Sequence, residues 1–109
     1  MRNNSGLIFF GDYFEWQYSK AKENIENHEI SFEEASEVFD FGATQFYLDE
    51  SHSFDEQRYY AVGYTKKGEL LVVCYTERTR FHIFSAWKAN RNERKDYEEK
   101  LNEFKEYGF

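Results

Sequence analysis

The sequence has no proline and a single cysteine, Cys74, among its 109 residues. Without proline, no segment has the composition of a stiff linker. One cysteine cannot form an internal disulfide, and no Cys/His spacing typical of a zinc site accompanies it. Because Cys74 lies in the apolar run 70–75, we predict a buried core thiol. We therefore expect a fold that needs neither a disulfide nor a structural metal.

Long hydrophobic runs are absent as well. The run Leu7–Phe10 is too short for the apolar region of a signal peptide, and nothing approaches the length of a membrane span. A reducing compartment suits the single thiol. We therefore expect a cytoplasmic protein without a membrane partner.

The common catalytic signatures are also missing. The sequence has no GxSxG, P-loop, HExxH or GxGxxG motif. Its three histidines, His28, His52 and His82, lie far apart and show no metal spacing. We expect neither a metal nor a cofactor.

The net charge of -7 argues against unspecific binding to nucleic acid, but the charge is unevenly distributed. Residues 23–56 contain eleven Asp and Glu and no Lys or Arg, whereas the remainder has 14 basic and 10 acidic residues. A basic cluster lies in the second half, at Arg78, Arg80, Lys88, Arg91, Arg94 and Lys95. This pole could bind a phosphate backbone, or mixed charge could simply keep the domain in solution.

Aromatic residues make up 21% of the chain, so Phe and Tyr must fill much of its core. We predict that residues 1–11 form a loose lead-in. Residues 14–16 are predicted to form a short strand, which could begin near Ile8. A helix is predicted from Tyr18, with Ser19 as N-cap and with Ala21, Ile25 and His28 on one face. The capping box Ser31–Glu34 opens a second helix, which buries Phe32, Ala35, Val38 and Phe39.

In the second half, the pattern of apolar and polar residues is typical of strands. We predict strands over 43–48, 58–65, 70–76 and 80–86, with a polar turn over 52–55 and a hairpin loop at 66–69 that uses Gly68. The most apolar run, 70–76, should be the central strand. In the strand 80–86, alternation places Phe81, Ile83 and Ser85 on one face and His82, Phe84 and Ala86 on the other. A capping box at 90–93 starts a last helix with Tyr97, Leu101 and Phe104 on one stripe.

This order of elements predicts a single α+β domain over 1–109. Consecutive strands with short loops imply an antiparallel sheet, here of four to five strands. The two N-terminal helices and the C-terminal helix should pack on one face of that sheet.

Candidate site residues must be polar groups near the predicted core or at strand ends. Arg78 and Arg80 flank the loop after the central strand, where they could clamp a phosphodiester or be solvated turn residues. His28 could transfer a proton or be a structural histidine. Lys20 and Lys22 could reach the same surface or form a solvated helix face.

Together these residues resemble the BrnT family of toxins. In the N-terminal half the resemblance is carried by Phe14-Glu15-Trp16, Lys20, Asn24, His28, Ser31–Ala35 and Val38-Phe39. In the second half it is carried by Glu56–Tyr59, Gly63, Gly68–Val73, Thr76-Glu77-Arg78, Arg80, Ile83–Ala86, Lys88-Ala89, Glu93 and Tyr97. It covers about residues 14 to 97.

The resemblance implies a fold like that of the RelE toxins and a type II toxin that cleaves RNA without a metal. It also implies a ribbon-helix-helix antitoxin (BrnA-like) as partner, with DNA bound only through the antitoxin. Arg78 would stabilise the phosphate, Arg80 or Arg58 would assist, and Lys20 or His28 would transfer protons. Further RNA contacts are expected from Arg58, His82, Trp87, Lys88 and Arg91.

The chain departs from the family pattern at several positions. Trp87 stands where the family has an arginine, and His82 replaces another arginine in the same strand. Gln17 replaces an aspartate, and Glu29 a glycine. Trp87 could stack on a base or be a core or edge aromatic, but it cannot supply positive charge. An alternative function is therefore a weakened relative that binds an antitoxin and takes part in repression.

Overall fold

A six-stranded sheet lies at the centre of the computed structural model, which describes residues 6–53 and 55–106, with side chains as far as residue 103. Its strands are β1 (Leu7–Phe10), β2 (Phe14–Gln17), β3 (Gln45–Asp49), β4 (Arg58–Tyr64), β5 (Leu70–Glu77) and β6 (Phe81–Lys88). The helices are α1 (Tyr18–His28), α2 (Phe32–Ser36) and α3 (Arg91–Glu106), with 3-10 turns at Glu37–Asp40 and Glu50–His52. The α+β class is therefore confirmed. None of the described helices is long and apolar enough to cross a membrane.

The strand order is β1-β2-β6-β5-β4-β3. The sheet thus has six strands, whereas the sequence predicted four to five. The sheet is also mixed rather than purely antiparallel, because β2 runs parallel to β6. The additional strand is β1, which pairs with β2. The expectation of a loose lead-in is thus wrong for Leu7–Phe10, while residues 1–5 lie outside the described part.

A β-bulge interrupts β6. Cys74 pairs with Ser85, but the next residue of β5, Tyr75, pairs with Ile83, so Phe84 is an extra residue. The bulge reverses the alternation beyond it. The predicted faces of β6 are therefore wrong from Ser85 onward: Ile83 and Ala86 share one face, and His82 and Trp87 share the other.

Helices cover both faces of the sheet, so the prediction that all helices pack on one face is wrong. The face that carries Leu71, Val73 and Ile83, here called the α1–α2 face, packs on Phe32, Ala35 and Val38. The opposite face, here called the α3 face, carries Val62, Leu70 and Val72 and packs on Tyr97. Since Val62, Leu70 and Val72 alternate with Ala61, Leu71 and Val73, the strands β4 and β5 supply both cores.

Helix α1 contacts the sheet through a polar residue. Asn24 is its buried residue, whereas Ile25 and His28, predicted to face the core with Ala21, are exposed. The Asn24 amide donates to the carbonyls of Ile30 (2.9 Å) and Ala86 (2.8 Å), and its oxygen accepts from the Ala86 N–H (3.0 Å). The N-cap is Gln17 rather than Ser19.

The two predicted capping boxes are confirmed. The Ser31 hydroxyl accepts from the Glu34 N–H at 3.0 Å, as predicted. Asn90 and Glu93 exchange side-chain-to-backbone bonds of 2.8 and 2.9 Å, which completes the second capping box. In the 66–69 loop, Gly68 has φ +85°. Cys74 is buried, and burial raises the pKa of its thiol to about 11.

We predict that Asn24→Ala lowers the free energy of unfolding by about 3 kcal/mol, because it leaves three buried backbone groups without partners. Urea unfolding followed by circular dichroism measures the change. The matched control is Asn27→Ala on the exposed side of α1, which should change stability by less than about 0.5 kcal/mol. Equal effects in the two variants would contradict this account of how α1 is held.

A second prediction concerns Glu29, the C-cap of α1, which has φ +60°. A side chain in the left-handed region carries a steric cost that glycine avoids. Glu29→Gly should therefore raise the free energy of unfolding by about 0.5–1 kcal/mol. Glu26→Gly, inside the helix, should lower it by about 1 kcal/mol. A loss of stability in Glu29→Gly would disprove the strain.

Candidate functional site

Polar side chains form a row across the α3 face, at the end of the sheet that α3 leaves open. Strand register aligns Asp49 with Arg58, Arg58 with Thr76, Thr76 with His82, and His82 with Glu15. The row thus crosses β3, β4, β5, β6 and β2. Neighbouring strands lie about 4.8 Å apart, so Arg58 and His82 are separated by roughly 10 Å.

Glu15 and His82 form a buried pair in this row. Their side chains belong to the parallel strands β2 and β6, and the residues are 8% and 3% exposed. His82 Nδ1 lies 2.6 Å from the carboxylate oxygen of Glu15. A carboxylate only accepts hydrogen bonds, so Nδ1 carries the proton and donates. A neutral His82 then has its lone pair on Nε2.

Arg78 lies beside this pair and binds a second carboxylate. Its Nε and Nη2 donate to Glu56 at 3.1 and 2.7 Å, a bidentate contact. Its Nη1 is 3.7 Å from Glu15 and 3.2 Å from His82 Nδ1. The hydrogen bonds from Arg78 hold the pKa of Glu56 below its ordinary value. The side chain of Arg78 remains 41% exposed, so its guanidinium can meet a ligand.

Arg58 is the second cation of the site. Its guanidinium carbon lies 4.1 Å from the centre of the Phe84 ring, and that of Arg78 lies 6.0 Å from the same ring. Phe84 is the extra residue of the β6 bulge. The bulge therefore supplies an aromatic surface near both arginines, and a cation over such a face is attracted to it.

The far end of the row is fixed by Asp49. This buried carboxylate accepts hydrogen bonds from Ser51 (2.8 Å) and His52 Nδ1 (2.9 Å). Despite the opposing effect of burial, hydrogen bonds from Ser51, Tyr60 and His52 lower the pKa of Asp49. Burial and the bond to Asp49 raise the pKa of Tyr60 to about 12. These groups hold the turn between β3 and β4.

Of the residues singled out from the sequence, Arg78, Arg58 and His82 come together. Arg80 does not join them. Its Nη1 donates to the carbonyls of Gly11 (2.6 Å) and Phe14 (3.2 Å), so it fastens the turn between β1 and β2 to β6.

The two candidates on α1 lie elsewhere, because α1 covers the opposite face of the sheet. Lys20 is exposed and 3.7 Å from Glu23. His28 is exposed, with its ring centre 6.3 Å from that of Trp87. Trp87 is roughly 15 Å along β6 from His82. Because His28 lies beside Trp87 at the far end of β6, it too is distant from His82.

Three further candidates also lie at that far end. Trp87 is on the α3 face, where its Nε1 is 3.3 Å from Glu93. Lys88, on the other face, pairs with Glu69 at 3.0 Å, and Arg91 is exposed in the first turn of α3. The site residues that sequence reasoning missed are Glu15, Glu56 and Phe84. Only Glu15 had a usable signal, since it alternates with the apolar Phe14 and Trp16 and so faces away from them.

No group of three His, Cys, Asp or Glu side chains in the described ranges could hold a metal ion.

A comparison with protein families finds a match over most of the chain. The model for "Ribonuclease toxin, BrnT, of type II toxin-antitoxin system" matches residues 16–93, which is well over half of the chain. The matched range contains Glu56, Arg58, Arg78 and His82, and it begins one residue after Glu15. No curated protein matches the sequence. The resemblance noted above is thus confirmed, and the chain belongs to the BrnT family of ribonuclease toxins of type II toxin–antitoxin systems.

Proposed function

We propose that this chain cleaves RNA without a metal, using the end of the α3 face that α3 does not cover. The observation that carries the proposal is the buried Glu15–His82 pair beside two arginines. A base oriented by a carboxylate and flanked by cations is the set of groups that RNA cleavage by the neighbouring hydroxyl requires. Glu15 is a positioning residue here, because it fixes the tautomer of His82.

The proposed reaction is an attack by the ribose 2′-hydroxyl on the adjacent phosphate. His82 Nε2 takes the 2′ proton as the bond from O2′ to phosphorus forms. The bond from phosphorus to O5′ breaks, and the leaving oxygen takes a proton from water. The products are a 2′,3′-cyclic phosphate and a 5′-hydroxyl, and His82 returns its proton to water.

The two arginines act on the charge of the phosphate. Negative charge builds on the phosphoryl oxygens as five-coordinate phosphorus forms, and fixed donors stabilise it. Arg58 is held over Phe84, while Arg78 must exchange Glu56 for the phosphate. The expected roles of Arg78 and Arg58 are kept. The proton-transfer role is assigned to His82 instead of Lys20 or His28, and Arg80 is left out because it binds backbone carbonyls.

The family implies an antitoxin, and we propose a ribbon-helix-helix protein of the BrnA kind, through which DNA would be bound. A surface suited to such a partner is formed by Phe41, Phe46 and Leu48, residues that are 41–55% exposed within the acidic segment 23–56. Exposed apolar groups among carboxylates suit a basic amphipathic partner. The same surface favours the second candidate function, an antitoxin-binding module in a repressor complex. The RelE-like fold and the cytoplasmic location stay predictions.

The first test expresses wild type, Arg78→Ala and His82→Gln in cells that lack the antitoxin. Wild type should arrest growth and cut RNA. The variants should lower the cleavage rate of the purified protein by about 100-fold or more, because each removes a group that acts in the transition state. Cleavage by wild type should persist in EDTA and leave a cyclic phosphate, which mass spectrometry detects.

The matched control is Arg94→Ala, which removes an exposed arginine from α3 and should cleave like wild type. Normal growth and intact RNA with folded wild-type protein would overturn the proposal in favour of the antitoxin-binding module. If Arg78→Ala binds RNA more weakly but turns it over at the wild-type rate, the role of Arg78 in the transition state is wrong.

A second test changes the carboxylate that competes with phosphate for Arg78. Glu56→Gln should tighten RNA binding several-fold, because Arg78 no longer has to leave a charged partner. The dissociation constant for a non-cleavable 2′-deoxy oligonucleotide measures this, at fixed salt concentration. Glu77→Gln removes the same charge from a nearby exposed position and serves as control. Equal tightening in both variants would mean that only net charge matters.

A further inference from the structure

A cavity of about 370 Å³ lies between α3 and the α3 face of the sheet. Val62 and Val72 form its floor, and Tyr47, Tyr60 and Trp87 form aromatic walls. The rings of Tyr60 and Trp87 meet edge to face, with their centres 6.2 Å apart. A planar aromatic ligand would therefore find ring faces and aliphatic surface, which is how proteins bind unstacked nucleobases.

Trp87 is held in place by α3. Its Nε1–H points at the Glu93 carboxylate, at 3.3 and 3.4 Å. The same carboxylate accepts the Asn90 N–H at 2.9 Å in the capping box of α3. The Glu93 carboxylate therefore binds the indole and the start of the helix. The polar groups of α3 that can contact a ligand come from its next turn.

Those groups are one carboxylate and one ammonium. Asp96 and Lys100 line the cavity from adjacent turns of α3, with 3.9 Å between Asp96 Oδ2 and Lys100 Nζ. The ammonium also donates to the Tyr47 hydroxyl at 3.2 Å. The cavity therefore presents a donor directly beside a pair of acceptors, and the Asp96 side chain is 72% exposed at its mouth.

We propose that this cavity binds a guanine base of the RNA. The Watson–Crick edge of guanine has an acceptor, O6, next to two donors, N1–H and the N2 amino group. Lys100 would donate to O6, and Asp96 would accept from N1–H and N2–H, while Trp87 and Tyr60 contact the rings. The inference rests on the proposed function and adds a base preference to it.

The other bases fit this edge less well. Adenine would turn its amino group toward the Lys100 ammonium and its N1 lone pair toward the Asp96 carboxylate, two mismatched contacts. Uracil and cytosine would place O2 against the same carboxylate. Unpaired or opposed polar groups in a partly enclosed site cost affinity, so the preference comes from rejection as well as attraction.

The cavity lies near Trp87, roughly 15 Å along β6 from His82. The guanine is therefore at least one nucleotide removed from the phosphate that is cut. Both sites lie on the α3 face, because the bulge at Phe84 returns Trp87 to the side of His82. A single strand laid along β6 would meet both.

The test follows the indole N–H signals of the two tryptophans by NMR while each 5′-mononucleotide is added. Trp16 is buried in the other core, and Trp87→Phe assigns the remaining signal. GMP should move the Trp87 signal with an affinity at least about tenfold higher than AMP, CMP or UMP. Asp96→Asn should abolish the preference, whereas Glu99→Gln, on an exposed position of the same helix, should keep it.

The outcomes separate this inference from the proposed function. If the Trp87 signal does not move, or if all four nucleotides move it with equal affinity, the guanine site is wrong even where RNA cleavage depends on Arg78. If GMP is preferred and Asp96→Asn abolishes the preference, the site stands even where the wild-type chain cuts no RNA.

Discussion

The bulge at Phe84 is the constraint on which the arrangement of the α3 face depends. A regular β6 would send Ala86 and Trp87 to the sides opposite to those they occupy. The extra residue lets Ile83 and Ala86 both pack under α1 and α2, while His82 and Trp87 both lie on the α3 face. Asn24 binds the backbone of Ala86 just beyond the bulge, so the helix and the reversed register hold each other in place.

Sequence reasoning succeeded where the determinant is local. The capping boxes at 31–34 and 90–93 depend on residues three apart, and the turn at Gly68 depends on a single backbone angle. Sequence reasoning failed where the structure of a segment depends on residues distant in the chain. Nothing near Leu7–Phe10 indicates that β2 is available to pair with it, and period alone gave α1 the wrong buried face, since hydrogen bonds of Asn24 outweigh the apolar Ile25. The placement of α3 on the second face follows from Val62, Leu70 and Val72, which the sequence shows only as part of a continuously apolar sheet.

The candidate site divides in the same way. An arginine next to a strand end is conspicuous in a chain with an acidic half, so Arg78 was found by charge and position, whereas Arg58 was found through the family resemblance. The carboxylates that complete the site were not, because Glu15 and Glu56 are two among 21 acidic residues. Alternation shows that Glu15 faces away from its apolar neighbours, but the partners of both carboxylates depend on register and loop contacts. His82 was expected to touch RNA, but its pairing with Glu15 depends on a parallel alignment between residues 67 positions apart.

That parallel alignment has a consequence for the order in which the protein forms on the ribosome. Strand β2 is synthesised before its neighbour β6, because the paired residues Glu15 and His82 are 67 positions apart. Until β6 has been synthesised, Glu15 lacks His82, and Asn24 of α1 lacks the backbone of Ala86. Contacts between such distant segments form slowly because the chain entropy of closing the loop opposes them. A nascent chain therefore lacks its buried Glu15–His82 pair until β6 has been synthesised, so any activity of the completed site begins only after that point.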